Sequence, residues 1–219
     1  MNRLIDWNFA WQILPLLLKA SIYTIGITLV AFALALVGGL VLALLRRSRQ
    51  RWLSLPAASL IEFIRSTPLL IQIFFLFYVM PEYGLTLSAL TAGTLGLALH
   101  YSCYLAEVYR GGLNSVPRGQ WEAAKALSLS PQRMYRSVIL PQAIRTVLPA
   151  LGNYMVAMFK DTPVLSAITV AELMLQAKNI GSESFRYLEP ITMAGLFFLI
   201  LSISAAALVH KLELKLRLP

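Results

Sequence analysis

The chain has 219 residues and a net charge of +9, with 58% hydrophobic but only 13% charged residues. This composition excludes an ordinary soluble domain and predicts a single membrane domain, residues 1–219, with several spans. The single Cys103 excludes an intrachain disulfide, and the sequence contains no zinc, P-loop or nucleophile-elbow motif that would indicate an enzyme or a metal site.

Five apolar segments follow one another along the chain, each long enough for a spanning helix of about 20 residues. The first segment is an uncharged run that stops just before Arg46. After the second segment, Pro81–Gly84 predicts a turn. The fold class is therefore an all-α polytopic membrane protein with about five transmembrane helices. The predicted spans cover residues 20–45, 55–80, 86–108, 142–172 with a break near 160–163, and 190–210.

The basic residues between these spans predict the orientation of the chain. Thirteen of them follow spans one, three and five, including Arg47, Arg118 and Lys211, whereas Arg3, Lys178 and Arg186 are the three on the opposite side. The positive-inside rule then places the N-terminus outside and the C-terminus in the cytoplasm. This asymmetry also explains the net charge without a nucleic-acid partner.

The cytoplasmic region 111–141 contains a basic, amphipathic segment, GQWEAAKALSLSPQRMYRSVILPQA. Trp121, Ala124 and Leu127 fall at helical spacing, and Ser130-Pro131 is typical of the N-cap and first position of a second helix. Two short helices that meet at a turn are predicted here. On pattern alone, they either bind a protein partner or anchor the loop at the membrane surface.

Polar residues inside the spans are the candidates for a substrate path, because such groups are costly in lipid unless they face a partner or a cavity. A zwitterionic solute needs both a cation and a carboxylate, which Lys160 and Asp161 supply. Alternatively, these two residues only pair with each other at a helix break. Glu62 and Arg65 are expected to form a structural pair. The gate or substrate-path candidates are Ser66, Thr67, Lys160, Asp161 and Thr162.

Other polar and small residues in the spans are expected to serve helix packing. Gln72 is predicted to form interhelical hydrogen bonds, and His100 to be a hydrogen-bonded packing residue. Gly38-Gly39 and the pair Gly93 and Gly96 predict close approach between helices.

The basic segment resembles the cytoplasmic signature of ATP-binding-cassette importer permeases, in which EAA is followed by a glycine and then by I-x-L-P. Residues 122–124 match the EAA run, Val138 takes the isoleucine place and Leu140-Pro141 matches. Ser128 stands in the glycine place. The flanks RSTPLLIQIFF, AEVYRGGLNSVPRGQWEAA, LPQAIR and FKDTP resemble the polar amino-acid branch, which usually has Gly where this chain has Ser66 and Ser where it has Pro163.

This resemblance covers nearly the whole chain and implies the type I importer permease fold. It implies a second permease subunit, a copy or a relative, two ATPase subunits that bind ATP and Mg²⁺, and an extracytoplasmic solute-binding protein. The chain itself would bind no cofactor and would lie in the bacterial inner membrane, in contact with lipid. The residues expected to contact the ATPase are Glu122, Ala123, Ala124, Leu127 and Ser128.

The resemblance thus implies a non-catalytic permease for polar amino acids or related small zwitterions. An importer half for another solute, such as a compatible solute or an opine, is the nearest alternative. A passive pore or membrane scaffold without an ATPase is a third possibility, which the EAA segment disfavours.

Overall fold

The computed structural model describes residues 5–216. Over this range the chain is almost entirely helical, as predicted. Arg3 and Arg217, which enter the predicted charge asymmetry, lie outside the described residues, as does the side chain of Lys215. The α-helices are α1 Trp7–Arg46, α2 Arg51–Arg65, α3 Leu69–Phe74, α4 Ala89–Asn114, α5 Arg118–Ala126, α6 Pro131–Met134, α7 Leu140–Asp161, α8 Leu173–Ser184 and α9 Leu188–Leu216.

The first helix, α1, is longer than the predicted span because it begins at Trp7 rather than near residue 20. Asp6 is its N-cap, and the Asp6 carboxylate accepts hydrogen bonds from the backbone N–H groups of Asn8 and Phe9 at 3.0 and 3.3 Å. This cap satisfies two of the N–H groups that have no partner within the helix. At 40 residues, α1 exceeds the thickness of a membrane, so part of it extends beyond the hydrocarbon region.

The predicted second span is divided by a sharp bend. The helix Arg51–Arg65 and the helical stretch Leu69–Tyr83 meet at an angle of 109°. Pro68 lies at this bend, and its ring disfavours the helical conformation for the preceding Thr67. A π turn, Phe75–Val79, and a 3₁₀ turn, Met80–Tyr83, complete the second half. The bend places Ser66 and Thr67 at a helix end rather than in a continuous span.

Close packing of α1 against α4 depends on glycine, as predicted. A Cβ on Gly39 would lie 2.8 Å from the Cβ of Leu105 and 3.0 Å from the carbonyl oxygen of Ser102. On the opposite side of α4, a Cβ on Gly96 would lie 2.8 Å from Cγ1 of Ile73. Because neither neighbour is the end of a long flexible chain, larger residues at these positions would force the helices apart.

The α-helix of α7 ends at Asp161, within the predicted break, and a 3₁₀ helix, Thr162–Ile168, follows. The N-cap of the next helix, α8, is the fully buried Glu172, whose carboxylate accepts hydrogen bonds from the N–H groups of Met174 and Leu175 at 2.8 Å each. The N–H of Leu173 donates to the hydroxyl of Thr24 on α1 at 3.1 Å. These bonds satisfy the backbone groups that the break leaves free, as required inside a membrane.

Within residues 5–216, two α-helices are both long and apolar enough to cross a membrane, namely α1 and the apolar part of α9. The bent pair of α2 and α3 makes a third if it counts as one span. The predicted orientation of the termini stays a prediction.

Candidate functional site

The basic segment folds as the two short helices that the sequence predicts, α5 and α6, joined by a tight turn. Ser128 follows the C-cap of α5 with φ of 51°, in the left-handed region. The N–H groups of Ser128 and Leu129 donate to the carbonyls of Lys125 and Ala124 at 2.9 and 3.1 Å. This pair of bonds is the Schellman motif, which favours glycine at the left-handed position. The turn therefore explains why glycine is usual where this chain has Ser128.

The N-cap of α6 is confirmed. The hydroxyl of Ser130 accepts a hydrogen bond from the N–H of Arg133 at 3.4 Å, and Pro131 occupies the first helical position. A π turn, Tyr135–Ile139, then leads into α7. The two helices are thus held at a fixed angle by the caps on both sides of their turn.

The five residues predicted to contact the ATPase fall into two groups. Ala124 is buried, with 2% of its surface exposed, and so faces the interior of the chain. Glu122, Ala123, Leu127 and Ser128 are exposed. Leu127 has 75% of its surface exposed. The outer surface of α5 and its turn therefore combines a carboxylate, two small residues and one uncovered leucine.

An aromatic contact connects the segment to the end of α1. The guanidinium of Arg47 lies 5.7 Å from the ring centroid of Trp121 on α5. Trp121 also packs edge-on against Tyr135, with ring centroids 5.5 Å apart. Cation–π contacts of this kind stabilise an arrangement without excluding small adjustments. A displacement of α5 would thus act directly on the end of α1.

A charge network lies at the same end of the bundle. Arg110 donates two hydrogen bonds to Oε2 of Glu107 at 3.0 and 2.6 Å, and Arg46 pairs with Oε1 of the same carboxylate. Arg46 is the last residue of α1, whereas Glu107 and Arg110 belong to α4. The network therefore ties the ends of α1 and α4 together beside the α5–α6 segment.

The helix break after α2 is held by a glutamine. Nε2 of Gln72 donates to the Ile64 carbonyl at 2.7 Å and to the hydroxyl of Thr67 at 2.8 Å. Its Oε1 lies 3.0 Å from Nδ1 of His100 on α4. Gln72 and His100 thus form the interhelical hydrogen bond that the sequence predicts for them. Thr67 is half-buried in this network, whereas Ser66 is exposed.

At the break after α7, the three consecutive candidates for the substrate path have different surroundings. The half-buried carboxylate of Asp161 accepts a hydrogen bond from the hydroxyl of Tyr101 at 2.6 Å. Lys160 is exposed and makes none of the four ion pairs among residues 5–216, so the alternative of a Lys160–Asp161 pair is wrong. Thr162 is fully buried and donates to the Phe159 carbonyl at 2.7 Å, which caps the end of α7.

Three tyrosines connect the two breaks. The rings of Tyr101, Tyr104 and Tyr154 contact one another, with centroid distances of 6.4 Å from Tyr101 to Tyr104, 5.7 Å from Tyr104 to Tyr154 and 6.2 Å from Tyr101 to Tyr154. The guanidinium of Arg65, the last residue of α2, lies 5.3 Å from the centroid of Tyr104. A cation at one side and the Asp161 carboxylate at the other therefore face one aromatic cluster, which we call the tyrosine cluster.

The tyrosine cluster was not predicted from the sequence. Tyr101 and Tyr104 are three residues apart in an apolar span, a spacing that indicates a shared helix face but no function. The predicted Glu62–Arg65 pair is wrong, since the four ion pairs among residues 5–216 do not include it. The bend after α2 turns Arg65 toward α4 instead. In this part of the chain, no group of three or more His, Cys, Asp or Glu side chains could hold a metal ion.

Comparison with known proteins gives one consistent result. The family model described as "Binding-protein-dependent transport system inner membrane component" matches residues 35–218. A probable amino-acid ABC transporter permease of Sinorhizobium fredii is 52% identical, over 95% of this chain and 90% of its own length. An octopine transport system permease of Rhizobium radiobacter is 37% identical, over 95% and 89% of the two chains.

A solved structure agrees. The crystal structure described as an amino acid ABC transporter with histidines contains a chain that superimposes with a TM-score of 0.92 at 34% identity. The match covers 97% of this chain and 100% of that one. The predicted type I importer permease fold is thereby confirmed.

Proposed function

Because the chain belongs to the family of binding-protein-dependent transport system inner membrane components, we propose that it is the permease subunit of an ATP-driven importer for polar amino acids or related small zwitterions. It crosses a bacterial cytoplasmic membrane several times and forms the translocation path with a second permease, a copy or a relative. Two ATPase subunits bind ATP and Mg²⁺, and a solute-binding protein delivers the solute from outside. The chain itself catalyses no reaction.

The tyrosine cluster is the observation that supports a zwitterionic substrate. Arg65 can donate to a carboxylate, and Asp161 can accept from an ammonium group. Between them, Tyr104 and Tyr154 offer aromatic faces and hydroxyl groups. Ser66, Thr67 and Lys160 then line the approach along the substrate path. Thr162 acts indirectly, because its hydrogen bonds fix the helix end that carries Asp161.

The outer surface of α5 supports the coupling to an ATPase. Leu127 is exposed and would bury its apolar side chain in a groove of the partner, and the exposed Glu122 would make a polar contact. Ala124 holds α5 against the chain, while Ala123 and Ser128 allow close approach. When ATP draws the ATPases together, α5 moves and the spans change from inward- to outward-facing.

The substrate class is tested by uptake into proteoliposomes that contain the permease, the ATPase and the solute-binding protein. Asp161→Asn keeps the shape of the side chain but removes the charge. A charge-assisted hydrogen bond contributes ~1.5–3 kcal/mol, so uptake of glutamine or arginine should fall roughly tenfold or more. The matched control is Glu183→Gln on the exposed surface of α8, which should leave uptake unchanged.

Full uptake by Asp161→Asn, at normal yield of the assembled complex, would contradict the substrate-path assignment. An opine is the second candidate substrate, because one relative is described as an octopine transport system permease. Competition of octopine against the labelled amino acids distinguishes the two. If the chain purifies repeatedly without an ATPase, the importer proposal itself fails and a passive pore takes its place.

A further inference from the structure

An apolar groove on the outer surface of α1 and α4 includes none of the residues of the tyrosine cluster. It encloses about 340 Å³, within the size range of small-molecule pockets. Ile22, Gly26 and Val30 line it from α1, and Leu90 and Thr94 line it from the first turns of α4. Since α4 runs from this end toward α5, the groove faces the membrane leaflet opposite the α5–α6 segment.

The groove offers almost nothing to a polar ligand. The hydroxyl of Thr94 already donates to the carbonyl of Leu90 at 2.7 Å. Nothing lies within 4 Å of the position that a Cβ on Gly26 would occupy, so the glycine leaves an open floor. Ile22 and Val30 are 68% and 55% exposed, which leaves their apolar side chains uncovered on either side of it. A hydrocarbon chain fits these surroundings.

The basic residue Lys19 lies on the face of α1 that lines the groove. Lys19, Tyr23, Gly26 and Val30 follow one another along α1 in steps of four, three and four residues. All four therefore share one face of the helix. Lys19 is exposed, and it makes none of the four ion pairs found among residues 5–216. Its positive charge is therefore available to a ligand that also reaches the groove.

The depth of Lys19 fits a phospholipid headgroup. At ~1.5 Å per residue, Lys19 lies roughly 40 Å along α1 from Arg46, the basic residue at the other end. A bilayer with its headgroups is about 40–45 Å thick. When Arg46 is at one headgroup layer, Lys19 is at the other, and Tyr23 lies one turn deeper at the interface. The groove then begins where acyl chains begin.

We propose that this groove is a binding site for one anionic phospholipid, with its phosphate paired to Lys19 and one acyl chain lying over Gly26. The positive charge complements the anionic headgroup, and the apolar floor complements the chain. The phenol of Tyr23, 55% exposed, lies between the two at the level of the ester groups. A zwitterionic lipid would fill the groove equally well but would gain less from Lys19.

The test is native mass spectrometry of the full chain, purified with whichever subunits accompany it, during titration with phosphatidylglycerol or phosphatidylcholine of identical acyl chains. One phosphatidylglycerol per chain should bind about fivefold more tightly, the effect of one basic residue near an anionic headgroup. Lys19→Gln should remove this preference, and Gly26→Leu should remove binding of both lipids. The matched controls, Lys178→Gln and Gly195→Leu, should change neither.

Retention of the preference by Lys19→Gln would overturn the headgroup assignment, and retention of lipid by Gly26→Leu would overturn the groove. If Gly26→Leu instead separates two permease subunits while lipid binding is unchanged, the groove belongs to the permease interface and the proposal is wrong. Lys19→Gln changes an exposed side chain, so its folding is not at risk. These outcomes do not depend on uptake, so they are independent of the proposed transport function.

Discussion

At the scale of single residues, Ser128 adopts a backbone conformation that is costly for its type. Its φ of 51° lies in the left-handed region, where a side chain is disfavoured by ~1–2 kcal/mol relative to glycine. Ser128→Gly should therefore stabilise the α5–α6 turn by roughly 1 kcal/mol. The measurement is the thermal unfolding temperature of the purified chain, which should rise by a few degrees.

Ser130→Gly is the matched control, because it lies two residues away but has a different role. Its hydroxyl caps α6, so the same replacement should lower stability by a few tenths of a kcal/mol. If both variants shift the unfolding temperature in the same direction, the left-handed conformation is not the cause of the effect at Ser128.

Residue-scale features were predictable where the chemistry is local. The Ser130-Pro131 cap, the packing role of Gly39 and the Gln72 hydrogen bonds follow from short-range rules or from the cost of polar groups in lipid. The contact of Arg65 with Tyr104 was not predictable, because it joins residues on separate helices across a bend. Spacing along one helix predicts Glu62 as the partner of Arg65, but in the structure Arg65 contacts Tyr104 on another helix.

At the scale of elements, an ionic cluster fastens the start of α1 to the turn before α9. Arg186 pairs with the carboxylates of Asp6 at 3.1 Å and Glu189 at 2.5 Å. The N–H of Asp6 also donates to Glu189 at 3.1 Å, and the Arg186 guanidinium lies 4.8 Å from the ring centroid of Phe9. The cluster thus joins the start of α1, the turn after α8 and the start of α9, at the end of the bundle opposite α5.

This cluster makes the stability of the chain depend on pH in a defined direction. The N–H of Phe9 and then the guanidinium of Arg186 lower the pKa of Asp6 below its usual value of 3.8. A lowered folded-state pKa stabilises the fold above pH 3.8, and this contribution is lost as pH falls through the folded value. Asp6→Asn should therefore unfold at a lower temperature than the wild type at pH 7, and the difference should vanish at the acid end of a pH series.

The control for this series is Glu183→Gln, which changes an exposed acid on α8 that makes none of the four ion pairs among residues 5–216. Its difference from the wild type should be small at every pH. A difference between Asp6→Asn and wild type that persists unchanged well below pH 3.8 would show that the carboxylate charge is not what holds the cluster together.

The sequence predicts that the helices exist, but it predicts less well where each helix begins and ends. Hydropathy located the apolar segments, since each must cover lipid or a neighbouring helix. It could not locate the start of α1 at Trp7, because the Asp6 cap and the Arg186 contact extend the helix beyond the apolar run. Nor did hydropathy reveal the 109° bend after Arg65, because the two helices taken together are apolar enough to resemble one continuous span.

At the scale of the whole molecule, the exposure of Leu127 favours one of the two functions predicted for the α5–α6 segment, a docking surface for a protein or an anchor in lipid. The sequence is compatible with both functions, since basic amphipathic helices can bind a protein or lie on a membrane surface. In the structure Leu127 is 75% exposed, and Glu122 on α5 is also exposed. This mixture of an apolar side chain and a carboxylate suits a protein groove better than an anionic membrane surface.

Leu127→Asp should therefore weaken binding of the ATPase, because it places a second carboxylate where an apolar side chain would be buried. Loss of a buried leucine from an interface costs ~1.5–3 kcal/mol, so the ATPase recovered with the tagged permease should fall by roughly tenfold or more. Leu85→Asp, an exposed leucine at the other end of the bundle, is the matched control and should leave recovery unchanged. If Leu127→Asp instead keeps its full share of ATPase, the ATPase binds the permease through another surface and the docking assignment is wrong.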